Sequence, residues 1–235
     1  VSFDDDEGDA CDHFPSVVAV DQGVFVYGFD ALAAGKRGAP LLRSFKRLLA
    51  AGDVNGASVV AVGDVSVPLI ALLSGFLAAL KTALMKRSNL PRSYRQSGAA
   101  RLAANTKGDD VLEAVVAVPA HAFGAQRFLT LDAFRRAGFE VIALLNEPSA
   151  AGFEYSHRYR NTITARREHI VVYDLGGGTF DASLVHMSGR RHDAVATAGS
   201  NQIGGDDFDA LLAKLVLETA KIDEARLHAR SLLLL

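Results

Sequence analysis

Val171-Val-Tyr-Asp-Leu-Gly-Gly-Gly-Thr-Phe-Asp181 runs an apolar strand into three successive glycines, then into a threonine and a second acid. Without Cβ atoms the glycines can take positive φ and come close to a ligand, so that N–H groups converge on an anion. Thr179-Phe-Asp-Ala-Ser-Leu-Val185 continues with β-type residues, so the turn joins strand to strand. A Walker A loop needs G-x-x-x-x-G-K-[ST] opening a helix, and a dinucleotide fingerprint needs G-x-G-x-x-G in a βαβ unit. Neither is present. What remains is a glycine hairpin that offers backbone donors to phosphate and carboxylates to a hydrated cation.

Phosphoryl transfer needs a cation, a group that positions the attacking nucleophile, and donors for the developing charge. Asp174 is the first carboxylate, carried by its strand into the glycine turn. Glu147 is the second, because Asn146-Glu-Pro-Ser-Ala-Ala151 ends a strand and opens a helix; a first-turn acid stabilised by the helix dipole is the alternative reading. A lysine is also wanted. Arg43, Lys46 and Arg47 lie together in Leu41-Leu-Arg-Ser-Phe-Lys-Arg-Leu-Leu49, and on residue chemistry alone they read as a basic solvated face.

Around these motifs the chain is α/β. Strands are expected at Ser16–Val20 and Val24–Phe29 about an Asp21-Gln-Gly23 hairpin, then a helix with Leu42, Phe45, Leu48 and Leu49 on one face, and a strand at Ala57–Val62. The apolar run Val67–Leu80 is too short to span a membrane, and its leucines recur at helical spacing, so residues 67–87 read as a helix packed on a sheet. Ser88–Asp110, with Arg92, Arg95 and Arg101, reads as a loop or insertion. From Val111 strand and helix alternate (111–118, 125–137, 139–145, 147–155), which implies a sheet covered by helices. After a polar joint at 158–168 come strands at 169–174, 179–187 and 193–198 and a helix from Asp206 to about His228. With 235 residues, 49% of them apolar, the chain can bury a large core. A net charge of −2 gives no global basic field, so no general nucleic-acid coat is expected, and with the apolar run too short to span, no membrane partner is expected either. The single Cys11 forms no internal disulfide, and a reducing, cytoplasmic setting is expected. The acidic opening Asp4–Asp9 lacks EF-hand spacing and reads as a solvated loop.

Taken together these segments resemble the ATPase domain of the heat shock protein 70 (DnaK-type chaperone) family, within the actin-like ATPase superfamily. The resemblance rests on Phe14-Pro-Ser-Val-Val18, Ser44-Phe-Lys-Arg-Leu48, Val116-Ala-Val-Pro-Ala120 with Gln126-Arg127, Asn146-Glu-Pro-Ser-Ala-Ala151, Asp174-Leu-Gly-Gly-Gly-Thr-Phe-Asp181 and Gly204-Gly-Asp-Asp-Phe-Asp209, in the family's order. It implies an actin-like ATPase (ribonuclease H-like) fold of two lobes of mixed sheet: lobe I over 1–157, a joint at 158–168, and the first half of lobe II over 169–235. It implies ATP/ADP and Mg²⁺ as cofactors. Lys46 is then the catalytic lysine; Glu147 and Asp174 hold Mg²⁺ through water; Thr179 lies beside the γ-phosphate. Gly176, Gly177, Gly178, Gly204 and Gly205 contact phosphate, with Asp181 behind the loop. Pro119 and Arg127 couple nucleotide state to a substrate-binding domain. The implied parent is a stress-responsive chaperone ATPase with unfolded peptides, J-domain proteins and nucleotide-exchange factors as partners.

The family's first phosphate hairpin, of Asp-Leu-Gly-Thr-Thr type, has no counterpart before Val1, and its adenosine-binding glycines, linker and peptide-binding domain have none after Leu235. Both ends are therefore expected to be truncated and this stretch alone to be catalytically incomplete. Residues 50–110 and Ala120-His-Ala-Phe-Gly124 also depart from the family pattern. Two other readings stay open: a sugar or metabolite kinase of the same superfamily, and a degenerate nucleotide-binding scaffold without catalysis.

Overall fold

The computed structural model describes residues 1–5, 7–50, 53–91, 112–159, 168–189 and 191–223. Residues 92–110 of the insertion, with its three arginines, residues 160–167 of the joint and the terminal leucines lie outside them.

Two short strands, β1 (Phe3–Asp4) and β2 (Ala10–Cys11), pair antiparallel around the acidic opening. Cys11 is a free thiol, pushed above its ordinary pKa by burial and by Asp5, Asp9 and Asp12, the opposite of the shift that makes a thiol reactive. The expected hairpin forms from β3 (Val17–Asp21) and β4 (Val24–Tyr27), with Asp21 opposite Val24. Its turn residues Gln22 and Gly23 have φ of 52° and 81°, the positive values that a two-residue turn needs to match strand twist. Helix α1 (Phe29–Lys36) follows. It has little local signature, because it buries small residues, Ala31 and Ala34, against Val17 and Ala19 and shows no broad apolar stripe.

The helix expected around Leu42–Leu49 is not continuous. β5 (Leu41–Arg43) joins β3 on the side opposite β4, Ser44 turns the chain at φ 47°, and a 3₁₀ segment occupies Phe45–Ala50. The pairing of Leu42 with Val18 outcompetes helical periodicity, and the left-handed Ser44 breaks the run. β6 (Val59–Val62) and β7 (Val65–Pro68) make a second hairpin; Val67, expected in the helix, belongs to this strand.

Helix α2 (Leu69–Lys86) has the length and hydropathy of a membrane span, longer than the apolar run alone indicated. Its buried face is nevertheless spoken for: Leu69, Leu72 and Leu73 join Val18, Phe45, Val62 and Leu129 in the main core. Phe45 and Phe76 meet edge-on at 4.9 Å, so this helix is the spine that holds the 3₁₀ segment in place.

Beyond the insertion, β8 (Leu112–Val118), α3 (Gly124–Arg136) and β9 (Phe139–Asn146) form a parallel βαβ unit, the connection that parallel strands require. Helix α4 (Glu147–Arg158) leaves β9 directly, with Pro148 in its first turn. β10 (His169–Leu175), β11 (Phe180–Ser188) and β12 (Arg191–Ser200) then form an antiparallel meander, followed by α5 (Gly205–Ala220). Alternate residues of β11 point inward, including Val185, Met187 and Ser183, whose hydroxyl meets that of Thr197 at 2.9 Å. The class is mixed α/β, as expected.

Candidate functional site

Three corners of the fold meet at or beside one cleft. The first is the β5–3₁₀ junction, where the left-handed Ser44 is followed by Phe45, which is anchored in the core, so that Lys46 and Arg47 project away from it. The second is the β9–α4 junction, where Glu147 is the first helical residue. The third is the glycine turn between β10 and β11, where Asp174 stands opposite Asp181 in the ladder and Gly176 N–H closes the turn onto Thr179 O at 2.9 Å. The strand-to-strand setting read from the sequence is present.

Lys46 Nζ donates to Glu147 Oε1 at 2.6 Å across 101 residues of chain. Glu147 is one-fifth exposed and Lys46 about half; Lys46 lines the cleft, and Glu147 stands behind it, held to the cleft through this pair. The cleft itself, about 570 Å³, is lined by Lys46, Arg47, Asp174, the three glycines, Thr179 and His13. Asp174 and Glu147 also share the lining of a void of about 10 Å³ with Pro119, Pro148 and Asp181, a space on the scale of one water molecule.

The turn is held from behind by α5. Gly205 N–H donates to Gly176 O at 2.9 Å, and Asp206 N–H to Gly177 O at 2.8 Å. A Cβ on Gly204 would stand 2.6 Å from the carbonyl carbons of Gly177 and Gly178, so only glycine fits there. The N–H groups of Gly204 and Gly205 are both taken inside the protein, that of Gly204 by Asp207 Oδ2 at 2.8 Å. No backbone hydrogen bond among the described residues uses the N–H of Gly177, Gly178 or Thr179. These are the donors left over for an anion.

Of the remaining sequence-derived residues, Pro119 ends beside the small void. Arg127 faces elsewhere: it donates to Asn146 Oδ1 at 2.9 Å and to Ala122 O at 3.1 Å. It therefore touches the site only through Asn146, next in sequence to Glu147. Asp181 is buried at 8% exposure, and His121 Nδ1 lies 3.3 Å from its Oδ1. Four residues escaped the sequence reading. Arg47, read as a solvated cation, pairs with Asp207 and donates through Nε to Gly178 O, while Ser44 donates to Asp206 Oδ2. Such long-range partners leave no local signature.

Among the described residues no three His, Cys, Asp or Glu side chains come close enough to ligate one metal directly. Two carboxylates beside an open cleft suit a cation that keeps most of its water, as Mg²⁺ does.

Comparison with known proteins adds an independent line. The family model described as Hsp70 protein matches residues 99–230, a stretch that includes Glu147, Asp174 and the glycine turn. The chaperone protein HscA homolog of Chromobacterium violaceum is 35% identical over 224 residues, covering 93% of this chain and 34% of the relative. Chaperone protein HscA of an Enterobacter species is 35% identical over 227 residues, with 90% and 33% covered. The HscA homolog of Polynucleobacter asymbioticus is 42% identical over 134 residues, with 57% and 21% covered. The chain thus spans between about a fifth and a third of the length of these relatives.

Proposed function

The chain belongs to the Hsp70 protein family, and from that premise we propose that it forms part of the nucleotide-binding domain of a chaperone that hydrolyses ATP and couples hydrolysis to the binding of unfolded polypeptide. The observation that carries this reading is the 2.6 Å Lys46–Glu147 pair beside a cleft lined by a glycine turn with three unspent N–H groups. In the proposed arrangement, residues 1–157 form one lobe and residues from 169 onward begin a second, with nucleotide between them.

The N–H groups of Gly177, Gly178 and Thr179 bind phosphate oxygens, and they are fixed before the ligand arrives because α5 and Arg47 hold the carbonyls of the same turn. Preorganised donors of this kind stabilise developing negative charge without reorganisation cost at the moment of reaction. Lys46 adds a positive charge on the opposite wall. When nucleotide enters, its ammonium divides its hydrogen bonds between Glu147 and the terminal phosphate. Asp174 and Glu147 would hold Mg²⁺ through its waters, and that cation supplies charge neutralisation of the phosphates. Glu147 accepts a hydrogen bond from the attacking water and orients it, and Thr179 donates its hydroxyl to the transferred group.

The named relatives are chaperones, which favours this branch over a sugar kinase of similar architecture. A cytoplasmic location, a stress role, and J-domain and nucleotide-exchange partners go with the proposal. Phosphate release from Mg-ATP, measured on the full-length protein containing this chain with and without candidate sugars, tests it. Release without sugar is expected. A strict sugar requirement would reassign the site as a kinase, and a folded protein with no turnover would make it a scaffold.

A further inference from the structure

All three glycine carbonyls of the turn are held, each by a different donor: Gly176 O by Gly205 N–H, Gly177 O by Asp206 N–H, and Gly178 O by Arg47 Nε. In a trans peptide the carbonyl of one residue and the N–H of the next point in opposite directions. Fixing these carbonyls therefore fixes the N–H groups of Gly177, Gly178 and Thr179 on the opposite side. Two of the three holders are backbone groups of one helix terminus. The third is a side chain from 131 residues earlier in the chain.

Arg47 is itself over-determined. Its Nη1 lies 3.2 Å from Asp207 Oδ1 and its Nη2 pairs with Asp207 Oδ2, the fork-to-fork geometry that only arginine makes. Asp207 Oδ2 also accepts the Gly204 N–H at 2.8 Å. One guanidinium thus ties the end of the glycine turn to the first turn of α5. Ser44 adds a second strut to Asp206 from a backbone held at positive φ, a conformation that a serine keeps only when its surroundings enforce it. A Cβ at Gly178 would stand 2.8 Å from Arg47 Nε and 2.9 Å from Ser44 Cβ, so the turn and the basic corner are in direct contact. Hydrogen bonding between the partners raises the Arg47 pKa and holds the Asp207 carboxyl below its ordinary range.

We propose that Arg47 is a positioning residue for the phosphate-binding turn: through the Gly178 carbonyl and the Asp207 carboxylate it sets the direction of the turn's last N–H donors, with Ser44–Asp206 as the accessory strut. This deepens the phosphate-binding reading above and rests on it. The neighbouring Lys46 touches the reacting group in that reading, whereas Arg47 acts through the turn.

The experiment uses the full-length protein containing this chain. Amide hydrogen exchange of the nucleotide-free protein is compared for wild type, Arg47→Lys, Arg47→Met, Asp207→Asn and the Arg47→Met/Asp207→Asn pair, alongside Mg-ATP affinity. The expected result is faster exchange confined to the hydrogen-bonded amides of Gly176 and residues 204–208, with β8 and β9 unchanged, in every variant. Affinity should fall about tenfold or more, as for loss of a charge-assisted hydrogen bond. Lysine should not rescue, because it has no fork, and the double variant should be no weaker than the worse single one. Full rescue by Arg47→Lys, multiplying losses in the double variant, or unaltered exchange of the turn would overturn the proposal. Exchange in the nucleotide-free protein decides it even if the wild type binds no ATP, an outcome that would instead sink the nucleotide reading.

Discussion

Replacing Gly204 with alanine tests how closely α5 is pressed against the glycine turn. The added Cβ would meet the carbonyl carbons of Gly177 and Gly178 at 2.6 Å, with the Gly177 oxygen closer still. These are backbone atoms, so no side chain can swing aside. Overpacking of this kind costs about 1–3 kcal/mol. Parting the helix from the turn also weakens Gly205 N–H to Gly176 O and Asp206 N–H to Gly177 O, each contributing about 1 kcal/mol. Together they give a loss of about 1–5 kcal/mol, the upper end if both bonds are lost. Gly124→Ala is the matched control. Nothing lies within 4 Å of its Cβ position and it opens a helix, so alanine there should be neutral or stabilise by up to about 1 kcal/mol. Urea denaturation of both variants, with Mg-ATP affinity measured in parallel, gives the answer. Gly204→Ala within about 0.5 kcal/mol of wild type, or equal effects of the two substitutions, would refute the close approach and with it the fixed carbonyls.

Leu72→Ala should destabilise by about 2–5 kcal/mol in the same denaturation assay, because the side chain is fully buried in the main core; a loss below about 1 kcal/mol would show that this face of α2 is not packed. Asp207 supplies a pH test. Its carboxyl titrates below the ordinary value, chiefly through the Arg47 hydrogen bond, so its stabilising effect is complete above the ordinary carboxylate pKa of about 4 and is lost as pH falls through the lowered one. Exchange protection of the Gly204 N–H should persist at about pH 5 and fail only in stronger acid; loss already near neutrality would contradict the pairing.

How much of this was legible beforehand depended on whether the signal was local. The β3–β4 hairpin announces itself through Gln22-Gly23, and the β8–α3–β9–α4 run through its alternation, because turn chemistry and periodicity lie within a few residues of each other. The 3₁₀ corner did not. Leu42, Phe45, Leu48 and Leu49 mimic a helix stripe, and only the pairing of Leu42 with Val18 and the left-handed Ser44 show why no helix forms there. At the site, the glycine turn and Glu147 could be picked out from motif and position. Lys46 could not be separated from Arg43 and Arg47 except through family resemblance, since what distinguishes it is a partner 101 residues away. Arg47 was misread as a solvated cation for the same reason: its acceptors, Gly178 and Asp207, are remote in sequence.

The proposed role of Lys46, Glu147 and the glycine turn as one phosphoryl-transfer site stands or falls on turnover. Single-turnover hydrolysis of Mg-ATP by the full-length protein containing this chain, compared with its Lys46→Ala variant, tests it most directly. The expected result is measurable turnover in the wild type and a loss of about 10²-fold or more in the variant. An unchanged rate would contradict the claim.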